Sequence, residues 1–125
     1  MKKEKDKDVV FLVVLKGSFM FFSDLIKKIS FNNTVSFIRY KSYMNMASSG
    51  EVKELMGITE GLKGKTVIII EDILDSGRTL EKVIEKVILE EPLEVKIATL
   101  FYKPLANQTN IIPDYSGFDI GNEFI

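Results

Sequence analysis

The chain has 125 residues, 46% hydrophobic and 28% charged, with a formal net charge of -1. That length supports a single domain, residues 1–125, with a real core, and a charge so near zero gives no electrostatic footprint for nucleic acid or an anionic membrane surface. Cysteine and histidine are both absent, which excludes disulfides, thiolate metal sites, thiol nucleophiles and the commonest general base, so any acid–base or metal chemistry falls to carboxylates, lysine or tyrosine.

The opening MKKEKDKD is charged and carries no apolar segment of signal-peptide type. Nor is there an uncharged apolar run of about 20 residues, the length a spanning helix needs. A cytoplasmic protein is the expectation.

VVFLVVL (Val9–Leu15) is continuously apolar and β-branched at four of its seven positions, as suits a strand buried on both faces of a parallel sheet. After Lys16 and Gly17, Phe19, Phe22, Leu25, Ile26 and Ile29 recur at helical spacing, with Asp24, Lys27 and Lys28 on the other side. Phe19, Phe21 and Phe22 read as exposed enough to allow a subunit interface. TVSFIRY (Thr34–Tyr40) alternates as a strand does, whereas Lys41–Gly50 is polar, lacks a period and reads as a mobile loop. EVKELMGI is a weaker strand candidate.

The next unit is the plainest. Lys65–Ile70 reads as a buried strand, Glu71–Gly77 as a loop and Thr79–Glu90 as a helix ending before Pro92. Leu80, Val83, Ile84, Val87 and Ile88 fall on one face of that helix. Leu93–Tyr102 is a further strand, KPLANQTNIIPDYSG reads as irregular, and FDIGNEFI ends the chain. Strands alternating with helices imply an α/β fold, a Rossmann-like parallel sheet flanked by helices. Ligands of such sheets lie at the carboxyl ends of the strands, where both informative loops fall.

One of those loops, EDILDSGRT, brings three acids together and then makes a turn into a helix. Consecutive backbone amides, the Ser76 and Thr79 hydroxyls and the helix dipole make a phosphate-sized anion site, with Gly77 permitting close approach. Glu71 and Asp72 supply acceptors beside it, suited to the vicinal hydroxyls of a ribose or to a bridging Mg2+. Asp75 is the candidate for proton transfer. A lone acidic turn is ordinarily solvated, with Asp or Ser as helix cap. The whole arrangement after a buried strand points to a sugar phosphate. Neither P-loop nor dinucleotide-binding glycine spacing is present.

Val67–Leu80 resembles the phosphoribosyl pyrophosphate motif of type I phosphoribosyltransferases: hydrophobic run, two acids, two apolar residues, Asp, Ser, Gly, a variable residue, Thr. VVLKGSFMFFSDL resembles the pyrophosphate loop of the hypoxanthine (hypoxanthine-guanine) branch, FIRYKSYMNMASSGEVK its flexible catalytic loop, and LFYKP with DYSGFDIGNEFI its purine-contacting region. Together they cover nearly the whole chain.

The resemblance implies roles. Glu71 and Asp72 would bind the ribose hydroxyls, directly or through Mg2+, and Asp75 would act as general acid/base beside N7 of the purine. Asp75, Ser76, Gly77, Arg78 and Thr79 would form the 5′-phosphate loop. Leu15, Lys16 and Gly17 would form the pyrophosphate loop, with a cis peptide between the first two in the family. Lys103 would meet the 6-oxo group, Phe124 would stack on the base, and Ile125 would offer its carbonyl. Ser42 and Tyr43 would ride a closing loop, with Arg39 and Lys41 as further candidates for pyrophosphate or a subunit contact.

The implied reaction is transfer of 5-phosphoribosyl from 5-phospho-ribose 1-diphosphate to N9 of hypoxanthine or guanine, releasing pyrophosphate. A homodimer or homotetramer is implied as well. The family has further residues before the first strand, and a V-G-Y-x-L-D segment and an Arg-containing tail after the last. Their lack here gives the expectation of a chain truncated at both ends, with the hood and part of the metal site incomplete. The competing reading is a non-catalytic or regulatory nucleotide-binding module of the same fold.

Overall fold

The computed structural model describes residues 8–15, 17–30, 32–43, 51–56, 61–74 and 76–119. Their elements, in chain order, are β1 (Val9–Leu15), α1 (Ser18–Ile26), β2 (Thr34–Tyr43), β3 (Glu51–Met56), β4 (Thr66–Leu74), α2 (Arg78–Leu89), β5 (Glu94–Tyr102), a 3-10 turn (Pro104–Ala106) and β6 (Tyr115–Asp119). The strands form one sheet in the order β3-β2-β1-β4-β5-β6. Strands β2, β1, β4, β5 and β6 run parallel, and β3 pairs antiparallel with β2 at one edge.

The order explains how both helices are used. From β1 the chain steps through α1 to β2 on one side, and from β4 through α2 to β5 on the other. Because β-α-β crossovers are right-handed, opposite directions put the helices on opposite faces. The core divides accordingly. Val10, Leu12 and Val14 of β1 join Val67 and Ile69 of β4 beneath Leu80, Val83 and Val87 of α2. Val9, Phe11 and Val13 join Ile68 and Ile70 beneath Phe22 of α1, and the Phe11 and Phe22 rings lie 5.6 Å apart at 51°. The strands β1 and β4 are buried on both faces, which is why they read as unbroken apolar runs. Each such side chain removed from water contributes about 1.5–3 kcal/mol, so this central pair is the rigid frame on which the loops are hung.

Five boundaries differ from the sequence reading. Strand β4 does not stop at Ile70 but carries Glu71, Asp72, Ile73 and Leu74, with Glu71 opposite Thr99 and Leu74 opposite Tyr102 on β5. Lys41–Tyr43 continues β2, pairing with β3. Helix α1 ends at Ile26, short of Ile29, which still packs against the core. Helix α2 begins at Arg78 and ends at Leu89. Tyr115–Gly117, the end of the stretch read as irregular, opens the strand β6 (Tyr115–Asp119). Of the three phenylalanines read as exposed, Phe22 is core, Phe21 packs partly buried against it, and Phe19 alone is open to solvent at 54%.

Candidate active site

Between β1 and β4 the strand order reverses, and the crevice outside the carboxyl ends at such a switch point is where α/β sheets bind ligands. The loops that meet there are those of β1 into α1 and β4 into α2. The helix of the second loop is uncapped. Gly77, its N-cap, sits in the left-handed region (φ 86°, ψ -1°) and provides no side chain, a conformation glycine adopts without strain. The first intrahelical bond runs from Glu81 N–H to the Gly77 carbonyl at 2.9 Å. The amides before it are the orphan donors of a helix start, at its positive end. The amide of Arg78 faces the Ser76 Oγ at 3.4 Å.

A cleft of about 220 Å³ opens beside these amides, lined by Glu71, Ile73, Leu74, Ser76, Gly77, Arg78, Thr79 and Leu80. Whole small-molecule sites run from about 300 Å³ upward. This volume therefore suits part of a ligand, such as the phosphate and pentose of a nucleotide.

The acids are tied to the other loop. An extended strand should send Glu71 and Asp72 to opposite sides, yet both meet the start of α1. The Ser18 hydroxyl, wholly buried, donates to Glu71 Oε1 at 3.3 Å and accepts from the Asp72 N–H at 3.0 Å. The Asp72 N–H also reaches Glu71 Oε1 at 3.1 Å. The Asp72 carboxylate lies against Gly17: a Cβ there would fall on its Oδ2, with Cγ only 2.9 Å away. Gly17 is required for that approach. Burial, with the hydrogen bonding and charge of Asp72, pushes the Glu71 carboxyl well above its ordinary value, while the Asp72 amide and the Ser18 hydroxyl pull it back in part. A carboxylate kept in such surroundings favours a ligand that stabilises its charged form.

A third segment completes the site. Leaving β5, Lys103 N–H donates to the Leu74 carbonyl at 2.9 Å, which places Lys103 beside the end of β4. Farther on, Gln108 N–H donates to the Ser76 carbonyl at 2.8 Å, and Arg78 Nε donates to Gln108 Oε1 at 2.9 Å.

The structure thus brings together Gly17, Glu71, Asp72, Ser76, Gly77, Arg78 and Thr79, with Leu15 at the end of β1 and Lys103 at the adjoining strand end. Lys16, Asp75, Phe124 and Ile125 lie outside the described residues, as do the side chains of Ser42 and Tyr43, whose backbone closes β2. Sequence reasoning missed Ser18 and the Asn107–Thr109 segment. Ser18 carried a faint signal as a small hydroxyl residue directly after Lys-Gly. Asn-Gln-Thr has the turn chemistry of Asn and Thr but nothing to say what it would touch.

Fold and cleft together define an α/β protein with a parallel sheet and a candidate ligand site at its switch point. Residues 2–125 match the model of the phosphoribosyl transferase domain. The hypoxanthine phosphoribosyltransferase of Escherichia coli K12 is 40% identical over 98% of this chain and 70% of its own length. The hypoxanthine-guanine phosphoribosyltransferase of Lactococcus lactis is 40% identical over 99% of this chain and 68% of its own. A Staphylococcus aureus hypoxanthine phosphoribosyltransferase structure superposes with a TM-score of 0.90 at 36% identity, covering 98% of this chain and 67% of that one. The chain belongs to the phosphoribosyl transferase family, on its hypoxanthine branch. It spans about 70% of the length of such relatives.

Proposed function

We propose that this chain is a purine-salvage enzyme. It transfers the 5-phosphoribosyl group of 5-phospho-ribose 1-diphosphate to N9 of hypoxanthine or guanine, giving inosine or guanosine monophosphate and pyrophosphate. The observation that carries the reading is the meeting of three things at one switch point: an uncapped helix start (Gly77–Leu80), an acid pair (Glu71, Asp72) and a glycine pressed on one acid (Gly17).

In this reading the 5′-phosphate lies on the amides of residues 75–79, where backbone donors and the helix dipole favour an anion without any motion at the moment of reaction. Glu71 and Asp72 grip the ribose hydroxyls. Holding the pentose at both ends fixes C1 relative to the attacking nitrogen, and such positioning removes a large part of the barrier to a displacement of this kind. The bond from C1 to pyrophosphate breaks as that from N9 to C1 forms, and the proton displaced from the purine passes to Asp75. Leu15, Lys16 and Gly17 cradle the departing pyrophosphate. Lys103 selects for the 6-oxo group, with Phe124 stacking and Ile125 accepting from the ring edge. Ser42 and Tyr43 exclude water, which would otherwise intercept the electron-poor sugar.

Glu71 and Asp72 form an all-oxygen donor set, and Mg2+ is commonly held by one or two carboxylates together with substrate phosphates. The residues fit it, and when bound Mg2+ would supply charge compensation for the pyrophosphate leaving group. We further read the protein as a cytoplasmic homodimer or homotetramer. The exposed Phe19 and Met20 on α1 (54% and 71% accessible) support association.

The test is turnover of hypoxanthine, and separately guanine, with the donor and Mg2+, followed by release of pyrophosphate. Product formation is the expected result. Donor binding with no product would favour the regulatory module instead.

A further inference from the structure

The connection from β5 to β6 touches the proposed phosphate loop at Ser76, Gly77 and Arg78 through Asn107, Gln108 and Thr109, three residues to which the sequence reading gives no site role. It is pinned at both ends. Lys103 N–H bonds to Leu74 at one end. At the other, the Asp114 carboxylate accepts from the Ile97 N–H at 2.7 Å and the Asp114 N–H donates to the Ile97 carbonyl at 2.8 Å. Between the pins, Asn107 Oδ1 accepts from the Thr109 N–H at 2.9 Å and from its hydroxyl at 2.7 Å, and Asn107 Nδ2 donates to the Ile111 carbonyl at 2.7 Å. The Thr109 Oγ1 in turn accepts from the Ile111 N–H at 3.2 Å. A turn that satisfies its own polar groups in this way holds one shape.

That shape is applied to the other loop. Gln108 N–H donates to the Ser76 carbonyl, and its side-chain oxygen accepts from Arg78 Nε. Thr109 Oγ1 and Asn107 Oδ1 stand 2.6 and 3.1 Å from where a Cβ on Gly77 would be. The Ser76–Gly77 peptide and the Arg78 side chain are thereby held by a segment from a different part of the chain. Gln108 is also a neutral partner: it orients the guanidinium of Arg78 without cancelling its charge, which a carboxylate would do.

We propose that the Asn107–Gln108–Thr109 turn is a positioning element for the 5′-phosphate. Gln108 aims Arg78 and the Ser76–Gly77 peptide, and Thr109 with Asn107 braces the left-handed Gly77. This rests on the phosphate-loop reading given above and adds residues that act through that loop.

The experiment is calorimetric binding of inosine monophosphate and of inosine to the full chain and to Gln108→Met, Thr109→Val and Thr109→Ser. The two ligands differ only by the phosphate. Loss of one such hydrogen bond predicts inosine monophosphate binding about three- to ten-fold weaker in Gln108→Met and in Thr109→Val. Inosine affinity stays unchanged, and Thr109→Ser behaves as the parent. Gln108 is exposed, so its replacement leaves folding intact, as urea unfolding checks. Unchanged nucleotide affinity in both variants, or equal loss for nucleotide and nucleoside, overturns the proposal. If the parent itself binds the two ligands equally, the phosphate-loop reading fails and the proposal with it, an outcome distinct from failure of the variants alone.

Discussion

Gly17→Ala separates the position of one carboxylate from the stability of the fold. The backbone at Gly17 is ordinary for any residue (φ -57°, ψ -31°), so alanine meets no conformational penalty there. What it meets is Asp72: the new methyl would fall on Oδ2 and stand 2.9 Å from Cγ. Ordinary contact between such atoms is about 3.5 Å, so the carboxyl must retreat by roughly half an ångström or more. The end of a side chain can do so by leaving its rotamer well, at about 0.5–1.5 kcal/mol. Alanine is also about 0.5–1 kcal/mol poorer than glycine at a helix N-cap. Stability should therefore fall by no more than about 2.5 kcal/mol. Catalysis is far more exacting, since a misplacement near 1 Å costs on the order of 100-fold. Urea unfolding and steady-state formation of inosine monophosphate, run on the same preparation, should give a modest shift in midpoint and a drop in kcat/KM for the donor of about 10- to 100-fold. Parent-like turnover in Gly17→Ala would refute the reasoning, because the Asp72 carboxylate would then have no positional role.

Gly77→Ala should fail in both respects: its φ of 86° and the 2.6 Å approach to Thr109 predict a loss of about 1–3 kcal/mol in urea unfolding together with weakened nucleotide binding. Glu71 sets a pH dependence. Its folded-state carboxyl titrates above the ordinary value of 4.5. Its contribution to stability is therefore complete below the unfolded value and is lost as pH rises through the folded one. The unfolding midpoint of Glu71→Gln should overtake that of the parent as pH rises from 4 towards neutrality; curves that stay parallel would show that Glu71 carries no such cost. Glu91, at φ 56° just past α2, is the one described non-glycine residue with positive φ. Glu91→Gly relieves about 1–2 kcal/mol of strain against about 0.4–1 kcal/mol of added freedom in the unfolded chain. A melting temperature unchanged to a few degrees higher, with full activity, is expected.

The parts of the fold most legible in the sequence are those where burial and pattern coincide. Val9–Leu15 and Val67–Ile70 are apolar on both faces because helices cover both, and Leu80, Val83 and Val87 point at the sheet with the period of a helix. The end of β4 was misread for a physical reason. Carboxylates at 71 and 72 look like loop residues, but their hydrogen-bond partner, Ser18, comes from 53–54 positions away, beyond any local pattern. Strand β6 was hidden similarly: Tyr115–Asp119 has little apolar alternation and becomes a strand by pairing with the edge of β5. In the site, phosphate-loop chemistry was readable because hydroxyls, glycine and helix start are contiguous. The Asn107–Thr109 brace was not, because its targets lie about 30 residues back, as in the pair of Arg78 with Gln108.

The most direct test is a nuclear magnetic resonance titration of the full chain with ribose 5-phosphate. The amides of Ser76, Gly77, Arg78 and Thr79 should shift together and saturably, with Asp72 and Ser18 following as the hydroxyls engage the acid pair. Shifts confined to other parts of the sheet, with residues 76–79 unmoved, would contradict the account.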